Sequence, residues 1–190
     1  EQLLEKIRND FLGLNTKYHI ANGEETKRIY LDSTASTLMM GIAHRTSEKF
    51  LKHYSNTHSL MHFSAKIATK TYAWVHERML EFVHADPEHY TCFFTGSGTT
   101  SGMNRIARIF NHLQPKKDIV LVSIMEHHSN DLPHRKHGGH VIHIPVDTHE
   151  SKMGCVDMDL LEHYLKEYKG RVNYVSITGI SNVTGIINPI

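Results

Sequence analysis

Along the first dozen residues Leu3, Leu4, Ile7, Phe11 and Leu12 recur at helical spacing with charges between them. That pattern predicts an amphipathic helix whose apolar stripe must pack on something. After a polar stretch, "KRIYLDSTAST" reads as a short strand ending in small hydroxylic residues, and a second helix is predicted around 41 to 54. The segment "SAKIATKTYAWVHERMLEFVHA" opens a third helix at Ser64 and sets Ile67, Tyr72, Val75, Met79, Phe82 and Val83 on one face. Asp86 and Pro87 end it.

Beyond that helix the periodicity changes. "YTCFFT", "DIVLVSI", "HVIHIPV" and "VNYVSITGI" are β-branched and aromatic runs, and helical patterns lie between them: "TTSGMNRIARIFNHL", a segment after "EHHSN", and "DMDLLEHYLKEY". Strands alternating with helices predict an α/β fold with a mainly parallel sheet and helices on both faces. Uninterrupted runs such as "IVLVSI" suit strands buried on both sides, and Cys92 falls within one such run. Ligands of such sheets bind beyond the carboxyl ends of the strands, where both "TGSGTTSG" and "EHHSN" lie.

Composition narrows the function. The 190 residues are 39% hydrophobic and 22% charged, as in a soluble globular protein with one sizeable core. No stretch approaches the ~20 consecutive apolar residues of a membrane span. The charged start, "EQLLEKIRNDF", is unlike a signal peptide, so the expected compartment is the cytoplasm, with no membrane partner. A formal charge of +1 gives no electrostatic reason to expect nucleic acid. Cys92 and Cys155 form no CxxC and cannot make a cysteine-type zinc site.

Histidine is over-represented, with 17 copies. Neighbouring residues on an extended chain point apart, so His127 and His128 are not expected to share one metal ion. His58 and His62 in "HSLMH", and the histidines of "HRKHGGHVIH", are further candidate ligands whose plain reading is solvated or hydrogen-bonded side chains. No metal site is expected.

"FFTGSGTTSGMN" runs from a strand through Gly96 and Gly98 into a helix near Thr99. Glycines allow the sharp turn, and the exposed N–H groups and dipole of a helix start favour a phosphate. The alternative is a plain strand-to-helix turn capped by Ser97 or Thr99. Glu126, at the end of the following strand, raises the possibility of a dinucleotide fingerprint. The spacing of Gly96, Gly98 and Gly102 is G-x-G-x-x-x-G rather than G-x-G-x-x-G, and no Gly-Lys-Ser/Thr completes a Walker A. A single small phosphate fits better. Asn182, in "SITGISNVTG" at another strand end, can donate and accept hydrogen bonds in the same crevice as His127 and Thr99.

Together these segments resemble one family. "YLDSTAST" resembles the "YLDNAATT" element of class V aminotransferase-like pyridoxal-phosphate enzymes. "SGTTSGMN" resembles their "GTTEAIN" turn, "MEHHSNDLPHR" their "EHHANIVPW", and "ISNVTGIINP" their "SNVLGTINP". "NTHSLMH" and "YAWVHER" match two further segments, in the same order, so the likeness covers almost the whole chain. Among the branches, cysteine desulfurases and selenocysteine lyases are the most similar.

The resemblance implies a fold type I large domain, present in part, and a homodimer acting on a small amino-acid substrate, with a possible sulfur acceptor. It implies a division into an arm over residues 1–60 and the first part of the cofactor-binding domain over 61–190. Pyridoxal 5'-phosphate is the implied cofactor, with Thr99 and Thr100 on its phosphate, His127 stacked on its ring as the catalytic residue, and Asn182 near its phenolic oxygen. Departures from the pattern are Ser33 and Thr34 for "NA", Ser59 for arginine, Ser101 for glutamate and His134 for tryptophan. The family's Schiff-base lysine in "SxHK", its pyridine-nitrogen aspartate and a desulfurase's cysteine all lie downstream of "SNVxGxxxP". Lys152, Lys166 and Lys169 have no such context. The expectation is therefore the N-terminal part of a longer enzyme, inactive alone, with unpaired strand edges and exposed apolar faces. Alternatives are another class V activity (aminotransferase, epimerase or kynureninase-like hydrolase), a cofactor-less paralogue, and a non-catalytic histidine-rich metal-binding protein.

Overall fold

The computed structural model describes residues 2–150 and 152–190. The chain divides into two compact units, Glu1–Phe93 and Phe94–Ile190. The boundary expected near residue 60 concerns domain membership, which this division by contacts does not address.

The first unit is mostly helical. Helix α1 (Gln2–Asp10) forms over Leu3, Leu4 and Ile7 of the N-terminal stripe, all three exposed, while Phe11 and Leu12 lie beyond its end. Two short antiparallel strands follow, β1 (Lys17–His19) and β2 (Glu25–Lys27), paired Lys17 to Lys27 and His19 to Glu25. Only Lys27 of "KRIYLDSTAST" lies in a strand, contrary to the expectation from its apolar residues. The rest is loop and turn, tied locally where the Tyr30 hydroxyl donates to the Ser36 carbonyl.

Helix α2 (Gly41–Leu51) lacks a capping side chain of its own. Asp10 of α1 does that work, accepting from the Ile42 N–H at 2.8 Å and the Arg45 guanidinium at 2.8 Å. Those two hydrogen bonds, Arg45 first, hold its carboxyl below the ordinary value. Helix α3 (Phe63–Phe82) starts where the His62 ring accepts from the Ala65 N–H. Its buried residues are Ala65 and Ala68, whereas Tyr72, Met79, Phe82 and Val83 of the expected face are exposed. Small side chains, which allow close approach, carry the packing.

The second unit is α/β. Helix α4 (Gly98–Leu113) leads to β3 (Ile119–Ser123), α5 (His128–His137), β4 (His140–Ile144), α6 (Met158–Glu167) and β5 (Val172–Ser176). The strands form a parallel sheet in the order β4-β3-β5. β3 is the uninterrupted β-branched run and is buried throughout, as a central parallel strand should be.

Alternation assigns its side chains to two layers. Ile119 and Leu121 join Ile144, Val156 and Leu161 in a core beneath α6. Val120 faces the opposite side, where Tyr174 of β5 meets Phe110 of α4 and His134 of α5 at centroid separations of 5.1 and 5.3 Å. Helices thus cover both faces. A bulge between Ile119 and Val120 leaves Asn173 unmatched, and its amide donates to the Phe110 carbonyl at 3.0 Å.

"YTCFFT" is the clearest misreading. Residues 90–95 form no strand, Phe93 and Phe94 are 56% and 54% exposed, and Cys92 is only partly buried. β propensity needs a neighbouring strand to satisfy it, and none pairs here among the described residues. Among those residues, no helix is long and apolar enough to cross a membrane.

Candidate active site

The turn into α4 depends on two glycines, Gly96 at φ +83° and Gly98 at φ +65°, a region that side chains with a Cβ avoid. Ser97 precedes the helix yet makes no capping hydrogen bond. Ser101 holds the turn from within, its hydroxyl donating to the Thr95 carbonyl at 2.9 Å. Uncapped first-turn N–H groups, with the exposed hydroxyls of Thr99 and Thr100 beside them, suit a small anion such as phosphate.

At the end of β3 the chain turns into α5, and His127 is its N-cap. Its Nδ1 accepts from the Ser129 N–H at 3.0 Å, with the Ser129 hydroxyl 2.8 Å away. A ring nitrogen that accepts carries no proton, so the neutral ring holds its proton on Nε2, the atom left to face a ligand. His128 opens the helix, its ring 6.2 Å from that of His127 and tilted by 55°. The cap of α5 thus comes from His127 itself. Thr100 and His127 line one shallow pocket of about 370 Å³ together with Asn104, Leu132 and Lys136.

Behind this loop lies a polar network. Glu126 accepts from the Ser123 hydroxyl at 2.6 Å, the Thr178 N–H, and the Asn130 amide at 2.5 Å. The Asn130 carbonyl oxygen lies 3.0 Å from His134 Nε2 and 3.1 Å from the Ser176 hydroxyl. His134 Nδ1 lies 3.0 Å from the Tyr174 hydroxyl. Burial drives the His134 pKa down despite the charges of Glu126 and Asp131, and pushes the Tyr174 phenol up to about 12. His134 is therefore neutral, donates through Nε2 and accepts the phenol proton at Nδ1.

Alongside the network, Asp131 is bonded to Arg135 and His143, each at 2.7 Å. Burial would raise its carboxyl, but the hydrogen bonds and charges of these two partners outweigh burial and hold it below the ordinary value.

Asn182 sits elsewhere. β5 ends at Ser176, not at "SN", and Asn182 is exposed on a turn closed by the Ile180–Ile187 bridge, in which the Ser181 hydroxyl accepts from the Val183 and Thr184 N–H groups. The structure thus gathers Thr100 and His127 around one pocket, while Thr99 and Asn182 do not line it. Asn130, His134 and Tyr174 were missed as a connected set. Their signal was only the helical spacing of the first two and the position of Tyr174 on the α5-facing side of its strand.

Three of the other candidate groups have local partners. Lys166 pairs with Glu162 at 2.6 Å, Lys152 lies 3.9 Å from Asp159, and the Cys155 thiol contacts the Ile187 carbonyl. Among the described residues no three His, Cys, Asp or Glu side chains are grouped so as to hold a metal ion.

The family model for aminotransferase class-V matches residues 29–190. The chain belongs to the aminotransferase class-V family. Similar class-V relatives include a probable cysteine desulfurase of Halalkalibacterium halodurans, 27% identical over 85% of this chain and 39% of that protein. The cysteine desulfurase of Pectobacterium atrosepticum is 29% identical over 98% of this chain and 44% of its own. In three dimensions the chain is similar to the cysteine desulfurase of Thermococcus onnurineus NA1, at 26% identity and TM-score 0.72 over 98% of this chain and 42% of that one. The chain spans less than half the length of these relatives.

Class-V enzymes use pyridoxal phosphate, and the residues present fit it. The uncapped start of α4 with Thr99 and Thr100 offers donors to a phosphate, and His127 offers an exposed ring pinned at Nδ1 beside the same pocket.

Proposed function

We propose that the intact protein is a pyridoxal-phosphate-dependent cysteine desulfurase or a close variant, releasing sulfur from a small amino acid such as cysteine. The observation that carries this is the shared pocket of Thr100 and His127, one at an uncapped helix start and the other a pinned ring, in a class-V chain. Thr99, Thr100 and the first N–H groups of α4 hold the phosphate. His127 covers the ring and is the catalytic residue, with Nε2 the atom able to hold or pass a proton. Asn182 lies outside that pocket, and its assignment to the phenolic oxygen rests on the family motif it matches.

The bound cofactor supplies the electron sink for bond cleavage at the substrate. The lysine that anchors it is assigned to a part of the protein outside residues 1–190, because Lys152 and Lys166 sit in surface ion pairs, Lys169 follows a charged helix, and none has the family's "SxHK" context. The proposed setting is a cytoplasmic homodimer that passes sulfur to an acceptor; the names of its relatives support the sulfur chemistry alone.

Product analysis tests the reaction. Purified intact protein given cysteine and a thiol reductant should release sulfide and alanine in equal amounts. Formation of a keto acid without sulfide would replace this reading with a transaminase.

A further inference from the structure

The carboxylate of Glu126 joins two chain segments that are far apart in sequence. One is its own loop, which continues directly into His127, and the other is the stretch after β5 that leads to Asn182. Through Oε1 it takes the Thr178 N–H and the Ser123 hydroxyl, and through Oε2 the Asn130 amide. Asn130 cannot rotate freely, because its oxygen is committed to Ser176 and His134, and His134 is committed in turn to Tyr174. Each link has a polarity: Tyr174 donates to His134, His134 to Asn130, and Asn130 to Glu126. The chain of donors ends on an acceptor that has no proton to give. Among the described residues every buried side-chain nitrogen and oxygen has a hydrogen-bond partner, so the relay is complete.

We propose that Glu126 is a positioning residue, and that the relay Asn130–His134–Tyr174 fixes its carboxylate so that the segments bearing His127 and Asn182 are held in register. The role given to that register rests on the proposed function, whereas the relay itself does not. Glu126→Gln tests it because an amide has one acceptor atom. With its oxygen toward Thr178, its NH₂ meets the Asn130 amide. Asn130 must then flip, and His134 must move its proton from Nε2 to Nδ1. With its oxygen toward Asn130, the NH₂ faces the Thr178 N–H and that bond is lost.

The experiment uses the intact protein without cofactor. Nitrogen-15 spectra read the His134 tautomer, and hydrogen exchange reads the Thr178 amide. E126Q should either reverse the tautomer or speed Thr178 exchange by roughly tenfold or more, as the loss of a hydrogen bond to a charged group implies. Unchanged tautomer and exchange would overturn the proposal. Should E126Q not fold, Asn130→Ala decides: faster exchange at Thr178 supports the relay, and wild-type exchange refutes it.

A further arm adds pyridoxal phosphate. The visible circular dichroism of bound cofactor should change in E126Q while the cofactor is retained, a signature that mere destabilisation does not produce. An unchanged dichroism would refute the link from the relay to the site. A wild-type protein that takes up no cofactor would sink the proposed function, while tautomer and exchange would still judge the relay.

Discussion

His134 has no exposed surface, and both of its ring nitrogens are hydrogen-bonded. Its burial-lowered pKa makes stability depend on pH. Below the unfolded-state value of about 6.5 the unfolded chain binds a proton that the folded ring refuses. This contribution to stability is therefore complete above about pH 6.5 and shrinks as pH falls toward the folded-state value. His134→Phe should abolish that dependence and, by leaving the partly buried Tyr174 hydroxyl without its acceptor, cost about 1–2 kcal/mol at neutral pH. Urea unfolding of the intact protein across a pH series measures both. At this scale the sequence disclosed His127 and Thr100 through motif order. His134 was visible only as a departure from tryptophan, because what gives it meaning is a partner 40 positions away. Glu126 was weighed only within a dinucleotide fingerprint that the glycine spacing excluded; one of its bonds runs to Thr178, beyond the end of β5.

The elements that were legible are those whose pattern is local. β3 is an unbroken β-branched run, and α6 opens on Asp157, whose side chain accepts from the Leu160 N–H at 2.8 Å. The turn into α4 is also local, and it separates two roles for glycine. Gly98 lies at φ +65° and Gly102 within the helix, and a Cβ at either would meet nothing within 4 Å. The effect of an added methyl is therefore that of the backbone alone. Gly98→Ala should destabilise the intact protein by about 1–2 kcal/mol, whereas Gly102→Ala should stabilise it by up to about 1 kcal/mol. Paired thermal melts of the two variants check the opposite signs. Residues 90–95 failed as a strand because strand formation is not local: it needs a partner backbone, and the described residues offer none. The expected face of α3 failed similarly, since its largest apolar residues are exposed whereas Ala65 and Ala68 are buried.

For the whole molecule, a three-stranded parallel sheet with helices on both faces positions the candidate site at the carboxyl end of its central strand. Many large apolar side chains are exposed, among them Leu31, Met61, Phe82 and Val183, as expected of a chain that spans less than half of its relatives. Fold and family could be read from the sequence because four motifs occur in one order, and the class-V match agrees. How the strand ends are bonded to one another could not, because hydrogen bonds such as Glu126 to Thr178 join positions 52 apart. The central claim is that this arrangement holds pyridoxal phosphate. A spectrophotometric titration of the intact protein with pyridoxal phosphate should yield a yellow, stoichiometric, protein-bound chromophore that His127→Ala retains less well. An intact protein that carries no cofactor as purified and gains none on incubation would contradict the claim.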